Sequence, residues 1–181
     1  ALEGIQALFS SDTPEVQSAA VRCAGLWKLE SLRPALQKLA SQPGSSSDLR
    51  ATALDSLSSL GGEASRAQLA KLANQLPTPA GRLQALTSLV TVDPGGAAAL
   101  LPAVLAKSPR QGNPAGVVAA FLARKDGPAL LENSLATKKL APDHAKLILR
   151  TIDGSGRKLP GLVTATRTAG GLKTGLTKLS T

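Results

Sequence analysis

A short phrase returns along this chain: a small polar residue, usually a Pro after it, then an apolar-periodic run that closes near Gly or Asp. Thr13-Pro14 opens the run reaching Leu26-Trp27, and Thr78-Pro79 the one ending at Val92-Asp93. Asn113-Pro114 leads to Lys125-Asp126-Gly127, and Ala141-Pro142 to Ile152-Asp153-Gly154. Ser47-Asp48 fills the remaining slot without Pro, and its run ends at Leu60-Gly61-Gly62. A Ser, Thr or Asn oxygen accepts from a free amide at a helix start, and Pro suits the first helical position because its missing N–H would be unpaired there anyway. Such starts, roughly 30 residues apart, predict helical hairpins stacked on one another. The expected fold class is all-α, an α-solenoid of about five hairpins with a short terminal helix.

Apolar spacings of three and four place one stripe on each helix. The first hairpin pairs 2–10 (Leu2, Ile5, Leu8, Phe9) with 14–27 (Val16, Ala20, Cys23, Trp27). The second pairs 30–41 with 47–60, joined by the breaker-rich Gln42-Pro43-Gly44-Ser45-Ser46. The third pairs 63–76 with 79–92, the fourth 96–107 with 114–125, and the fifth 127–138 with 142–152. The solenoid is expected over 1–157, and 158–181 is expected to hold a helix near 159–168 followed by a weakly ordered basic tail. Aromatic residues are Phe9, Phe121 and Trp27 alone. Thin helical layers pack on Leu, Ala and Val, whereas an enzyme core usually holds more rings. The chain contains no Met, so an excised or processed piece of a longer polypeptide is expected. No apolar run approaches the roughly 18 residues that span a bilayer.

Two stretches carry a resemblance. Pro-Glu-Val-Gln-Ser-Ala-Ala-Val-Arg-Cys-Ala-Gly-Leu at 14–26 resembles the second helix of a HEAT repeat, and Ser-Asp-Leu-Arg-Ala-Thr-Ala-Leu-Asp-Ser-Leu-Ser-Ser-Leu-Gly at 47–61 does so more closely. This likeness extends over about 1–155 and implies a HEAT-like, armadillo-like helical scaffold that binds proteins. A narrower likeness runs from Asp143-His144-Ala145-Lys146 through Leu149-Arg150, Gly154-Ser155-Gly156-Arg157 and Leu162-Val163 to Ala169-Gly170-Gly171-Leu172. It is similar to large planctomycete and verrucomicrobial haem-binding proteins, in which a HEAT-like region separates a sugar-dehydrogenase-like β-propeller from a cytochrome c domain. That resemblance implies a spacer module of a periplasmic or exported bacterial redox protein. Cys-x-x-Cys-His is absent from this sequence, so no haem ligand of that family is placed on it and no cofactor is expected within this segment.

Reactive clusters are scarce. Cys23 is the lone cysteine, which excludes an internal disulfide. Its helical spacing from Val16, Ala20 and Trp27 predicts a buried small hydrophobe rather than a reactive thiol. His144 stands behind Pro142-Asp143 in a predicted first turn, where a solvated or capping side chain is expected, with a ligand or acid–base role as the alternative. Asp12, Glu15, Asp48, Glu63 and Asp143 lie at helix starts, where carboxylates complement the dipole; that reading displaces a catalytic pair. No Gly-x-Ser-x-Gly turn occurs. Gly154-Ser155-Gly156-Arg157-Lys158 lacks the spacing and strand of a phosphate loop and reads as an inter-helix turn. A non-catalytic protein is expected.

Charge is more informative. Residues 1–106 hold eight basic and eight acidic side chains, whereas 107–181 hold thirteen and four, so the whole net charge of +9 lies in the second part. Lys107, Arg110, Arg124, Lys125, Lys138, Lys139, Lys146, Arg150, Arg157 and Lys158 form the candidate partner-binding surface, with Arg167, Lys173 and Lys178 beyond it. Such asymmetry steers an acidic protein or a neighbouring domain, a cytochrome c-like one under the narrower resemblance; a merely solvated surface is the plain alternative. A second functional reading is a nucleic-acid-binding module like the HEAT-like DNA glycosylases. It is disfavoured because the basic half has only Phe121 for stacking, and an apolar stripe claims that ring.

Overall fold

The computed structural model describes residues 2–108 and 110–172. Among them eleven α-helices follow one another: α1 (Leu2–Leu8), α2 (Pro14–Leu26), α3 (Arg33–Ser41), α4 (Ser47–Leu60), α5 (Gly62–Gln75), α6 (Pro79–Val92), α7 (Pro94–Ala106), α8 (Ala115–Leu122), α9 (Gly127–Leu135), α10 (Pro142–Gly154) and α11 (Pro160–Ala169). No strand occurs among the described residues. Residues 173–181, the end of the expected tail, lie outside them.

The helix starts follow their local chemistry. Thr78 Oγ1 accepts from the Gly81 amide at 3.1 Å, Asp93 Oδ1 from Gly96 at 2.8 Å, and Asn113 Oδ1 from Ala115 at 2.9 Å. In the second repeat the cap is Ser46 rather than Ser47, accepting from Leu49 at 3.1 Å. Thr13 makes no side-chain cap; Pro14 at the first helical position starts α2 without it. A single residue, Gly61 at φ +74°, separates α4 from α5, a backbone shape that a side chain disfavours.

The even-numbered helices α2, α4, α6, α8 and α10 pack in succession as one layer. In the odd-numbered layer α5, α7, α9 and α11 pack likewise, whereas α1, α3 and α5 scarcely meet. The first half of the stack therefore bends toward its even layer. One continuous core runs between the layers, with Leu36, Leu54, Leu57, Leu69, Leu86, Leu101, Phe121, Leu131, Ile148 and Ile152 buried. α11 extends the odd layer by packing against α9 and α10, and the Leu140 amide donates to the Ala169 carbonyl at 2.8 Å.

α7 accommodates a proline in its interior. Pro102 has no amide to offer the Ala98 carbonyl four residues back. The Ser134 hydroxyl of α9 donates to that carbonyl instead. Ser134→Ala should therefore cost about 1–3 kcal/mol, the usual penalty for leaving a buried acceptor unpaired. In a Pro102→Ala background the restored amide should remove most of that cost, and urea titrations of the four-member cycle measure the difference.

The first repeat departs from expectation. Cys23 is half-buried rather than buried, Val16 is 40% exposed and Trp27 is 63% exposed. These residues do lie in the core register. The positions 33 residues later, Leu49, Ala53, Ser56 and Leu60 of α4, are all buried, because α2 covers them. In α2 Ala20 is buried as well, whereas Val16 and Trp27, at the two ends of the stripe, have no helix over them.

Candidate interaction surface

A two-layer stack has two edges. Odd-to-even turns run along one and even-to-odd turns along the other. Lys107, Arg110, Lys138 and Lys139 belong to the first edge, at the α7–α8 and α9–α10 turns. Arg124, Lys125, Arg157 and Lys158 belong to the second, at the α8–α9 and α10–α11 turns. Lys146 and Arg150 stand between the edges on the exposed side of α10. The ten candidates are thus brought to three places rather than one.

Some are engaged by neighbours. Lys107 Nζ donates to the Asn74 carbonyl at 2.8 Å, and the Arg157 guanidinium donates to the Leu122 carbonyl. Arg124 pairs with Asp126 at 3.3 Å and Lys146 with Asp143 at 3.4 Å, both at the surface where such pairs contribute little. Arg110, Lys125, Lys138, Lys139, Arg150 and Lys158 are exposed and form no ion pair with the described residues. Among the described residues, Asp143 is the sole acidic residue at the α7–α8 and α9–α10 turns or the first turns after them.

The turns that carry these cations are fixed from both sides. Arg82, 8% exposed, donates to the Leu76 and Pro77 carbonyls at 2.9 and 3.2 Å and to Ser108 Oγ at 2.6 Å in the α7–α8 turn. His144, expected to be solvated, is only 2% exposed; its Nε2 lies 3.1 Å from the Gln111 carbonyl of that same turn. The imidazole fills the space between adjacent repeats, so it serves as a link rather than a surface group.

Comparable links recur along the stack. Arg33 donates to Ser65 Oγ, Ser56 Oγ to the Val21 carbonyl, Gln84 to Ser47 Oγ and Ser88 Oγ to Asp55 Oδ1, at 2.7–2.9 Å and between residues 32 to 37 apart. Glu30 holds Arg33 from the other side through two bonds of 2.9 Å; the guanidinium keeps its carboxyl below the usual carboxylate range. A further regularity escaped the sequence reading. The fourth residue of α2, α4 and α6 reaches back to cap the preceding odd helix: Gln17 to Phe9 O, Arg50 to Gln42 O, Arg82 to Leu76 O. The recurrence of a long polar residue at that position is the signal for it.

Where α1 and α3 diverge, a groove of about 770 Å³ opens between the first two repeats. Phe9, Leu39 and Leu49 lie at its floor, with Gln6, Gln17 and Lys38 at the rim. Gly154 is the last residue of α10, and 155–159 form the α10–α11 connection, with Ser155 capping the helix end. Among the described residues no three His, Cys, Asp or Glu side chains gather as a metal-holding group, and no helix is long and apolar enough to cross a membrane.

Two stacked layers of short antiparallel helices, linked repeat to repeat, define an α-solenoid, here of HEAT-like repeats. Residues 3–90, which span α1 to most of α6, match the family model of HEAT repeats. The same two-layer order continues through α7–α11. No curated protein and no solved structure matches the chain.

Proposed function

We propose that this chain is a non-catalytic interaction scaffold whose basic second half receives an acidic protein surface or a neighbouring domain. The observation that carries the reading is the first edge: Arg110, Lys138 and Lys139 are exposed, free of ion pairs with the described residues, and set on consecutive turns. Stacked helices stand about 8–10 Å apart. An extended acidic segment rising about 3.3 Å per residue would meet a new turn roughly every third residue. The narrower resemblance of 143–172 supports a place between two domains of a longer redox protein, with a cytochrome c-like domain as the acidic neighbour.

The test uses fluorescence anisotropy of a labelled poly-glutamate peptide at two salt concentrations. Binding should weaken steeply with salt, and the Arg110→Glu/Lys138→Glu/Lys139→Glu variant should lose about tenfold or more in affinity. The melting temperature should barely change, since exposed charges contribute little to stability. Absence of binding at low salt overturns the proposal. Tighter binding to a duplex or single-stranded oligonucleotide favours the glycosylase-like alternative. The exposed ring available for base stacking, Trp27, lies at the opposite end of the stack from this edge.

A further inference from the structure

The groove between the first two repeats opens onto the first edge. α1 and α3 wall it, and Ser10, Gln42, Gly44, Ser45 and Ser46 of the α1–α2 and α3–α4 turns close one end. Above its apolar floor, the Gln6 and Gln42 side chains form no hydrogen bond to the described residues. The Gln17 carboxamide donates to the Phe9 carbonyl and keeps its oxygen unpaired among them. A carboxamide both donates and accepts, as a peptide backbone does, so the rim suits an extended chain. Charge changes sign along the same edge. Beside the groove, exposed Asp12, Glu15 and Asp48 outnumber Lys38 and Arg50. From the α5–α6 turn to the α9–α10 turn the order reverses: Arg82, Lys107, Arg110, Lys138 and Lys139 stand against Asp143 alone among the described residues. Arg82 joins this set although the first half of the chain is neutral overall. Two carbonyls and a hydroxyl hold its guanidinium, with no carboxylate among the described residues, so its charge stays uncompensated beneath two consecutive turns.

Resting on the scaffold reading above, we propose that this edge binds one extended segment of a partner protein in a fixed register. Uncharged apolar side chains of the segment fill the groove, and its acidic residues follow over the cationic turns. Phe9, Leu39 and Leu49 supply the apolar contact, and the carboxamides of Gln6, Gln17 and Gln42 pair with the segment's backbone. The reverse placement would set carboxylates beside Asp12, Glu15 and Asp48 and leave apolar side chains over lysines, so charge fixes which end lies where. Two to three helix-to-helix steps of about 8–10 Å separate the α3–α4 turn from the α7–α8 and α9–α10 turns, so at about 3.3 Å per residue the acids come about five to nine residues from the apolar anchor.

The test compares labelled synthetic peptides on the whole 181-residue chain by fluorescence anisotropy. The first peptide carries a pair of leucines, a Gly/Ser spacer of about five residues and a run of glutamates, and is made in both chain directions. A second replaces the leucines by serines, and a third deletes the spacer. The leucine peptide, in its better direction, should bind about tenfold or more tighter than the serine peptide, the worth of burying a leucine side chain. That ratio should survive added salt, which screens the glutamates but not the apolar contact. Deleting the spacer should remove the gain. Ala35→Gln, at a half-buried α3 position lining the groove, should also remove it while leaving the serine peptide's affinity and the helical circular dichroism unchanged. A benzophenone in place of a leucine should crosslink to α1, α3 or the α3–α4 turn, a readout that needs no variant to fold. Equal affinity for the leucine and serine peptides, or crosslinks confined to α7–α11, overturns the proposal and leaves the basic edge standing. A gain that persists without the spacer overturns the register. Absence of binding by both peptides at low salt overturns the scaffold reading itself.

Discussion

Leu86→Ala and Leu57→Ala should each lower the unfolding free energy by about 2–5 kcal/mol. Both side chains are 0% exposed, in α6 and α4 at the middle of the even layer. Each loses its transfer free energy, and the cavity persists because helices above and below hold the layer apart. Thermal or urea melts followed by circular dichroism measure the loss. Unchanged melts for both would mean that the inward stripes are misassigned. The effect should spread to adjacent repeats, which rely on these same side chains for their own cover.

Gly25→Val should be comparably damaging, at about 3 kcal/mol or more. A β-carbon on Gly25 would stand 2.6 Å from the Ser56 α-carbon and 2.9 Å from its hydroxyl. The obstacle is helix backbone, so no rotamer change relieves it. The contact also carries a polar link, since Ser56 Oγ donates to the Val21 carbonyl at 2.8 Å. Separating α2 from α4 would therefore break a buried bond and open a seam in the first half of the stack. Gly25→Ala, which adds the β-carbon alone, should fall between the wild type and Gly25→Val in the same melts.

Helix placement was legible because local rules act at short range. Pro after a small polar residue marks a start, and the three-four spacing marks the buried side. α5, α6, α10 and α11 lie within a few residues of the predicted spans. What periodicity does not carry is whether a neighbour exists to cover a stripe. Val16 and Trp27 obey the core pattern yet face outward, since coverage depends on an adjacent element and not on their own helix. His144 was misplaced for a related reason. Its burial arises from the α7–α8 turn 33 residues earlier, a contact that no local window contains. The candidate basic residues were legible as a set but not as a surface. Their distribution over two edges and one helix face follows from which turn each occupies, and that requires the layer order.

The polar links described above join only adjacent repeats. Cooperativity in such a molecule travels like a closing zip: each hairpin is held by the ones it touches and learns nothing of those farther off. Contacts of this kind are short in sequence, which favours rapid folding from any starting hairpin. A lesion in mid-stack therefore divides the chain into two halves that melt independently, whereas the same lesion at a tip merely frays it.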